Sequence, residues 1–233
     1  MFTTKIGAHE VTVSLVTDSV ELEMGIVDRE GGPVRCIEER WTLNGSLDRT
    51  NAPAIIVRDL STGQELSREF YRNGKRHRPD GPAIEKLESG EKWRCYYIDG
   101  ACRNPVDPGA PSSVCVDPTS NVLTSQLWTD ERSKLHRIGG PASVQRDAAT
   151  GVVVHEEYRV HGKYHRVDGP AIITRSPETG ITMVEEYYVQ GVRHRADGPA
   201  IVERDAFVGS VVRQEYFLQG IQHISQDAAP QFD

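Results

Sequence analysis

The stretch His165-Arg166-Val167-Asp168-Gly169-Pro170-Ala171 decides the fold of this chain, because the same seven-residue pattern returns at a fixed interval. Complete copies also lie at His77–Ala83 and His194–Ala200, and at His136–Ala142 a glycine replaces the aspartate. The histidines at positions 136, 165 and 194 are 29 residues apart. A fixed period of this size is typical of a repeat architecture. We call the seven-residue pattern the box and interpret the chain as an array of units joined by boxes.

Less regular copies lie before these boxes and between them. They are Asp28–Val34, Asp48–Ala54 and the remnant Gly109–Ser112, and one period beyond His194 the chain reaches His223. The period predicts about seven units over residues 28–223, with an irregular stretch at 101–135. We interpret residues 1–27 as an N-terminal β cap and residues 224–233 as a C-terminal tail.

Between two boxes, the sequence predicts a β-hairpin. In residues 171–200 a β-branched run is followed by the turn formers Ser176–Gly180 and by a second β-rich run that stops at Gln190-Gly191. No segment keeps apolar residues at a 3.6 period for three turns, so no helix is predicted. We therefore predict an all-β fold, an elongated antiparallel meander of about seven repeated β-hairpins in an open or partly curled sheet.

Two rows of side chains become visible when the units are aligned on the glycine of this last turn. The residue four positions earlier is aromatic in Trp41, Phe70, Tyr96, Tyr158, Tyr187 and Tyr216. The residue before that is glutamate in Glu69, Glu157, Glu186 and Glu215. A period of two predicts that the aromatics pack against neighbouring hairpins and that the glutamates face solvent. The unit around Trp128 is one residue out of step and lacks the glycine, which predicts an irregular hairpin.

Composition and charge argue against several classes of protein. The net charge of −7 disfavours a general nucleic-acid binder, which is usually basic. The cysteines at 36, 95, 102 and 115 include no Cys-x-x-Cys pair, which favours reduced thiols over a zinc site. No basic-then-apolar leader opens the chain, and no apolar run approaches the about 18 residues of a membrane span, so we expect a cytoplasmic location.

The run Phe70-Tyr71-Arg72-Asn73-Gly74-Lys75-Arg76-His77 resembles the core of the MORN repeat. The chain is also similar to the MORN-like repeats of bacterial antitoxin components and to repeat proteins of phages and large viruses that carry the box. The resemblance covers about residues 28–223 and implies rows of β-hairpins. It departs from MORN in the arginine after the histidine, in the Pro-Ala ending and in a longer unit.

The box contains residue types that could form a catalytic centre, a metal site or a polyanion-binding stripe. Recurrence favours a structural role, because catalysis needs one assembled constellation. Successive histidines would lie about 9–10 Å apart, too far to share a metal ion. The box arginines would form a basic stripe, but the aspartates two residues later would neutralise it. We predict that arginine and aspartate pair within each loop, and that the following glycine supplies a turn needing its backbone freedom.

We therefore predict no catalytic residue, no cofactor and no metal, and we expect that the chain is not an enzyme. The box residues to which we assign a structural role are His77, Arg78, Asp80, His136, Arg137, His165, Arg166, Asp168, His194, Arg195 and Asp197.

The leading hypothesis for function is binding of another macromolecule, a protein above all. An aberrant loop in a regular array is where binding function is expected, which favours residues 101–135 and the candidate residues Arg103, Trp128, Arg132 and Lys134. The resemblance adds an antitoxin, immunity or phage-encoded inhibitor role. The alternative is a structural scaffold, or a MORN-like protein that docks on a membrane surface through phospholipids. Open sheet edges would also permit a homo-oligomer.

Overall fold

The structure is a computed structural model of the 233-residue chain. It describes residues 2–4, 10–14, 18–27, 33–88, 90–104, 107 and 109–224. The chain divides into two compact parts, each larger than a single repeat, which we call the first unit (Met1–Thr119) and the second unit (Ser120–Asp233) from here on. The described residues form strands and turns and contain no helix, so none of them forms a helical membrane span.

The first unit contains fourteen strands among its described residues. They are β1 (Phe2–Thr4), β2 (Glu10–Ser14), β3 (Asp18–Val27), β4 (Val34–Leu43), β5 (Ser46–Leu47), β6 (Ile55–Asp59), β7 (Glu65–Glu69), β8 (Tyr71–Arg72), β9 (Lys75–Arg76), β10 (Ile84–Glu88), β11 (Glu91–Cys95), β12 (Tyr97–Ile98), β13 (Ala101–Cys102) and β14 (Ser113–Val116). Strands β1, β2 and β3 lie within residues 1–27, the stretch that we interpreted as an N-terminal β cap.

The second unit contains twelve strands among its described residues. They are β15 (Leu123–Leu127), β16 (Ser143–Arg146), β17 (Val153–Glu157), β18 (Arg159–Val160), β19 (Lys163–Tyr164), β20 (Ile172–Arg175), β21 (Thr182–Glu186), β22 (Tyr188–Val189), β23 (Val192–Arg193), β24 (Ile201–Arg204), β25 (Val211–Leu218) and β26 (Ile221–His223).

The long strands pair antiparallel in chain order within each unit. The order is β1-β2-β3-β4-β6-β7-β10-β11-β14 in the first unit. It is β15-β16-β17-β20-β21-β24-β25 in the second unit. Glu156 lies opposite Ile173, and one period later Glu185 lies opposite Val202. The predicted all-β antiparallel meander of hairpins is confirmed, and among the described strands of each unit the last one does not return to the first.

Each regular repeat contains two hairpins, where the sequence predicted one. The run expected as a single strand at 181–189 is divided at Tyr187 into β21 and β22. β22 leaves the meander and pairs with β23 through the two-residue turn Gln190-Gly191, whose φ angles are +55° and +85°. Two left-handed residues in a row define the type I′ turn of tight hairpins, and glycine adopts the second position without strain. The short hairpin thus folds aside from the long one.

The alanine that ends each box lies at the centre of the packing. Ala171 donates its N–H to the carbonyl of Glu186 at 2.8 Å and accepts from the N–H of Tyr158 at 2.8 Å. It therefore connects two successive long hairpins. The five alanines at this position have no exposed surface: Ala54, Ala83, Ala142, Ala171 and Ala200. Ser112, which is 3% exposed, takes the same place in the remnant box and accepts from Tyr96 N–H at 2.9 Å.

Candidate functional site

The box histidine holds the short hairpin of the next repeat. The Nδ1 of His165 accepts a hydrogen bond from the backbone N–H of Gln190 at 3.2 Å. The same bond joins His194 to Gln219 at 3.1 Å. Since the donor is a backbone amide, the turn residue itself varies from repeat to repeat. The other members of the series are His77 with Asp99, His136 with His161, and Asp48, whose carboxylate replaces the imidazole, with Asn73.

Backbone hydrogen bonds complete this joint on both sides of the histidine. The N–H of Arg166 donates to the carbonyl of Tyr188 at 3.0 Å. The N–H of Gly191 in the next turn donates to the carbonyl of Tyr164 at 2.8 Å. The box is therefore the connection between successive short hairpins, and its histidine and arginine backbone serve that connection.

The box arginine lies flat on the aromatic ring of its own repeat. The Arg166 guanidinium carbon is 4.0 Å from the Tyr158 ring centroid, and its Nη1 donates to the Pro170 carbonyl at 3.3 Å. A cation over an aromatic face is attracted by the quadrupole of the ring. The other pairs are Arg49 on Trp41, Arg78 on Phe70, Arg137 on Trp128 and Arg195 on Tyr187, at 3.8–4.1 Å.

The predicted pairing of arginine with aspartate inside the loop is confirmed in three boxes. The Nε atoms of Arg166 and Arg195 donate to Asp168 and Asp197, each at 2.9 Å, and Arg78 Nε donates to Asp80 at 3.2 Å. The hydrogen bond from the arginine holds the pKa of Asp168 and of Asp197 below the usual value. These carboxylates are themselves at least 80% exposed, so water screens the pairs.

The box glycine has a different function from the one that was predicted. Gly169 is not left-handed, so freedom of φ is not what it contributes. A Cβ at Gly169 would lie 2.9 Å from the Arg166 guanidinium carbon. The equivalent distances are 3.1 Å at Gly81, Gly140 and Gly198. The glycine therefore provides the space in which the guanidinium lies.

The glutamate row does not face solvent, and that prediction was wrong. Glu157 is 17% exposed and is bonded to Arg159 Nε at 2.8 Å and to Tyr164 Oη at 3.1 Å. The short hairpin folds over this face of the sheet and brings its own tyrosine and arginine to the carboxylate. The hydrogen bond from His155 and, against the opposing effect of burial, those from Arg159 and Tyr164 lower the pKa of Glu157 to about 2.

The candidate residue Arg103 belongs to the remnant box of the first unit. Its N–H donates to the carbonyl of Tyr96 at 3.0 Å, as His165 N–H does to Tyr158 at 2.9 Å. Arg103 therefore occupies the histidine position, and its side chain is exposed. Asn104 follows at the arginine position and donates to the Pro111 carbonyl at 3.3 Å. Part of the joint is thus preserved in a sequence that has lost the box.

The candidates Trp128, Arg132 and Lys134 belong to the second unit. Trp128 is 9% exposed, with its ring under Arg137, so it lies in the interior of the repeat. Arg132 and Lys134 are exposed in an irregular hairpin, which contains an isolated bridge between Thr129 and Leu135 and a backbone bond from Asp130 N–H to the Lys134 carbonyl at 2.9 Å. The structure therefore places two of the three side chains on the surface of one loop.

The five boxes in which the structure shows an arginine on an aromatic ring fall into two kinds, a distinction that we did not predict from the sequence. Three have an aspartate beside the arginine and a phenylalanine or tyrosine under it. In the other two, Asn51 or Gly139 replaces the aspartate, and the ring is Trp41 or Trp128. Asn51 and Gly139 are left-handed, with φ of +57° and +76°. The aromatic position and the aspartate position of the box thus change together. This can be seen in the sequence when both positions are compared between repeats.

Metal ligation finds no support in the described parts of the chain, where no group of three or more histidine, cysteine or acidic side chains could hold an ion. The four cysteines are unbridged, and burial raises the pKa of the Cys36 and Cys95 thiols. Comparison with known proteins gives no relatives: no family model matches the chain, and neither does any curated sequence or solved structure.

Proposed function

We propose that this chain is a non-enzymatic, MORN-like repeat protein that binds another protein through the loop at residues 129–135. The observation that carries the proposal is that residues 131–134 are exposed in a loop that Asp130 bonds from within. From the aromatic residue to the box histidine this segment is one residue longer than in a regular repeat, and a wider turn inside the Thr129–Leu135 bridge replaces the two-residue turn. Loops positioned by a rigid scaffold are where binding residues concentrate.

Asp130 holds the loop from within. Its Oδ1 accepts the backbone N–H groups of Arg132 at 2.9 Å and Lys134 at 3.0 Å, and its Oδ2 lies 2.8 Å from His161 Nδ1. Burial would raise the pKa of Asp130, but the hydrogen bonds from His161 and the two amides bring it below the usual value. A binding loop that is ordered before it meets its partner loses less entropy on association.

The exposed side chains of the loop give it a chemistry for recognition. Glu131, Arg132, Ser133 and Lys134 all face solvent, which leaves two cationic groups on a chain of net charge −7. Arginine is enriched among the residues that dominate protein interfaces. The MORN-like resemblance suggests the class of partner, a toxin or an enzyme that the chain inhibits as an antitoxin, immunity or phage-encoded protein. We place this role in the cytoplasm, where four unbridged cysteines are usual.

The test is capture of a protein from lysate of the source cells with the full chain as bait. We expect one specific protein to be retained by the wild type and lost with Arg132→Ala/Lys134→Ala. The matched control is Lys92→Ala/Arg94→Ala, which removes two exposed cationic groups from β11. Capture that survives in the loop variant, or no specific capture at all, would contradict the proposal.

A second candidate function, a self-assembling scaffold, is favoured by the last long strand of the second unit. The outer edge of β21 is paired with β24, whereas at the equivalent outer edge of β25 no described strand pairs with 211–215. Val211 and Val212 at its start are 49% and 66% exposed. Open apolar edges favour strand-to-strand association. Light scattering during gel filtration should then show oligomers for the wild type and monomers for Val212→Lys; monomers in both would remove this candidate.

A further inference from the structure

We propose that the box at His136–Ala142 is a carboxylate-binding site, in which the Arg137 guanidinium takes an aspartate or glutamate side chain of a partner protein. The proposed function is used only to identify the molecule that carries the carboxylate. A second, narrower site of the same kind lies at Arg49.

The three complete boxes show what the free edge of this guanidinium binds. In each of them the arginine Nε donates to an aspartate carboxylate two residues later, at 2.9 Å for Arg166 and Arg195 and at 3.2 Å for Arg78. Hydrogen bonds between a guanidinium and a carboxylate are charge-assisted and geometrically specific. The chain thus supplies its own ligand at three positions.

At Arg137 the rest of the arrangement is present and that ligand is absent. The guanidinium carbon lies 3.9 Å from the Trp128 ring centroid, and Nη1 donates to the Pro141 carbonyl at 3.3 Å. Gly139 stands at the aspartate position, and no acidic group among the described residues forms an ion pair with Arg137. Its Nε–H, which in the complete boxes donates to the aspartate, is therefore the donor that we assign to an external carboxylate.

The guanidinium keeps its position without the aspartate because tryptophan lies beneath it. Tryptophan is the strongest aromatic partner for a cation, and among the boxes that the structure describes it occurs under Arg137 and Arg49, the two arginines that lack a box aspartate. A donor that is fixed before the ligand arrives binds it at a smaller loss of entropy.

The site at Arg49 lies in a groove of about 590 Å³ whose lining includes Arg49, Asn51 and Arg78, and also the carboxylates of Asp48 and Asp80. Ala52 stands there at the glycine position of the other boxes. At those glycines a Cβ would lie 2.9–3.1 Å from the guanidinium carbon. Because a methyl group stands at this position and two carboxylates line the groove, we expect weaker binding at Arg49 than at Arg137.

The charge of the chain selects among anionic ligands. A net charge of −7 repels polyanions such as nucleic acids or acidic tracts. A single carboxylate on a neutral or basic segment avoids this repulsion and still forms the short-range pair. In the second unit, the nearby part of the sequence at 129–135 carries exposed Arg132 and Lys134, which is consistent with an acidic side chain on the partner.

The site can be tested on the full chain without a partner, by following the arginine Nε–H signals in ¹⁵N-labelled protein. Sodium acetate is the probe, and sodium chloride at equal ionic strength is the reference. We expect the Arg137 signal to shift with a Kd on the order of 0.1 M, since one solvated pair is worth little. Arg49 should shift less, and Arg78, Arg166 and Arg195 should not respond.

Two substitutions each convert one kind of box into the other, by adding the box aspartate or by removing it. Gly139→Asp should abolish the acetate response of Arg137, and Asp168→Asn should create one at Arg166. The second variant tests the site even if the first fails to fold. The proposal is overturned by an Arg137 signal that does not respond beyond chloride, by equal responses at Arg137 and Arg166 in the wild type, or by an Asp168→Asn variant in which Arg166 stays silent.

The nature of the ligand is tested separately from the site. Inorganic phosphate and a single-stranded oligonucleotide are titrated in the same way. Binding of the oligonucleotide through Arg137 at physiological salt would overturn the assignment to a partner carboxylate. If no protein is captured from lysate but acetate shifts the Arg137 signal, the proposed function is wrong and the carboxylate site is supported. If a protein is captured and the Arg137 signal does not respond to acetate, the proposed function is supported and the carboxylate site is wrong.

Discussion

The box at 136–142 and the box at 165–171 belong to the same unit and build nearly the same joint. In both, the histidine accepts a turn amide, the arginine lies on an aromatic ring and the final alanine has no exposed surface. They differ in the aspartate, which only the second has, and in the hairpin before the box, which is long and irregular only in the first. The backbone bonds and the close packing therefore define the joint, while the carboxylate and the tight turn are dispensable.

The largest effect is expected where the two boxes are the same. Ala171→Leu should lower the free energy of unfolding by about 3 kcal/mol, because a buried site without free volume must be forced open. Ala142→Leu should cost as much. Urea unfolding followed by circular dichroism measures both, with the exposed Ala149→Leu as control. If Ala142→Leu is tolerated and Ala171→Leu is not, the irregular box is packed more loosely than the regular one.

The next largest effect is a pH dependence of stability at Glu157 in the regular repeat. The irregular repeat should lack it, because Leu127 stands at the equivalent position there. The pKa of Glu157 falls from 4.5 to about 2 in the folded chain. Its ionised form therefore stabilises the fold above pH 4.5, and this stability is lost as the pH falls from 4.5 towards 2, by at most about 3 kcal/mol.

The measurement compares the wild type with Glu157→Gln in urea at several pH values. The variant should be less stable at pH 6 and should lose less stability below pH 4.5. The exposed Glu178→Gln serves as control and should follow the wild type. Parallel curves for wild type and Glu157→Gln would show that the buried carboxylate contributes nothing.

A smaller effect tests the space that the box glycine provides. Gly169→Ala should destabilise the chain by less than about 1 kcal/mol, because its methyl group displaces only the flexible end of the Arg166 side chain, and Ala52 already stands at this position in the box of Arg49. In an Arg166→Ala background the same change should cost almost nothing, since the group that it meets is gone. A double-mutant cycle by urea unfolding gives the coupling. Equal costs in the two backgrounds would mean that the glycine is needed for the backbone.

The smallest effect is expected at the residue that distinguishes the two boxes. Asp168→Asn should lower the Tm by less than about 2 °C, because a highly exposed pair contributes little. Gly139 already shows that a box forms without the carboxylate. A fall of more than about 5 °C by differential scanning calorimetry would show that Asp168 is required in its own repeat.

Much of the fold follows from the 29-residue period and from alternation. These predict the hairpins, the aromatic row and the arginine–aspartate pair, since each depends on residues close in sequence. The prediction that the glutamate row faces solvent is wrong, because alternation identifies the two faces of a strand but not what covers each face. Glu157 is covered by a hairpin that leaves the sheet after Tyr158, and no periodicity marks that departure.

The candidate site was less accessible to sequence reasoning for a related reason. The hydrogen bond that the Gln190 backbone N–H donates to His165 spans 25 residues and involves no side chain of Gln190, so no motif reveals it. The space beside Gly169 depends on the path of the Arg166 side chain. The second kind of box could have been predicted, because tryptophan and the missing aspartate occur in the same repeats. Finding it requires comparing the aromatic position of the strand with the aspartate position of the box.

The register that repeats after 29 residues makes the array a set of interchangeable cassettes. Glu157 lies opposite Ile172, and one period later Glu186 lies opposite Ile201. Excision of residues 172–200 would join Ala171 to Ile201 and present Glu157 with an isoleucine in an unchanged position. Chains of this kind can lengthen or shorten by whole repeats without rebuilding a single joint, so length is a variable that the sequence can change in one step.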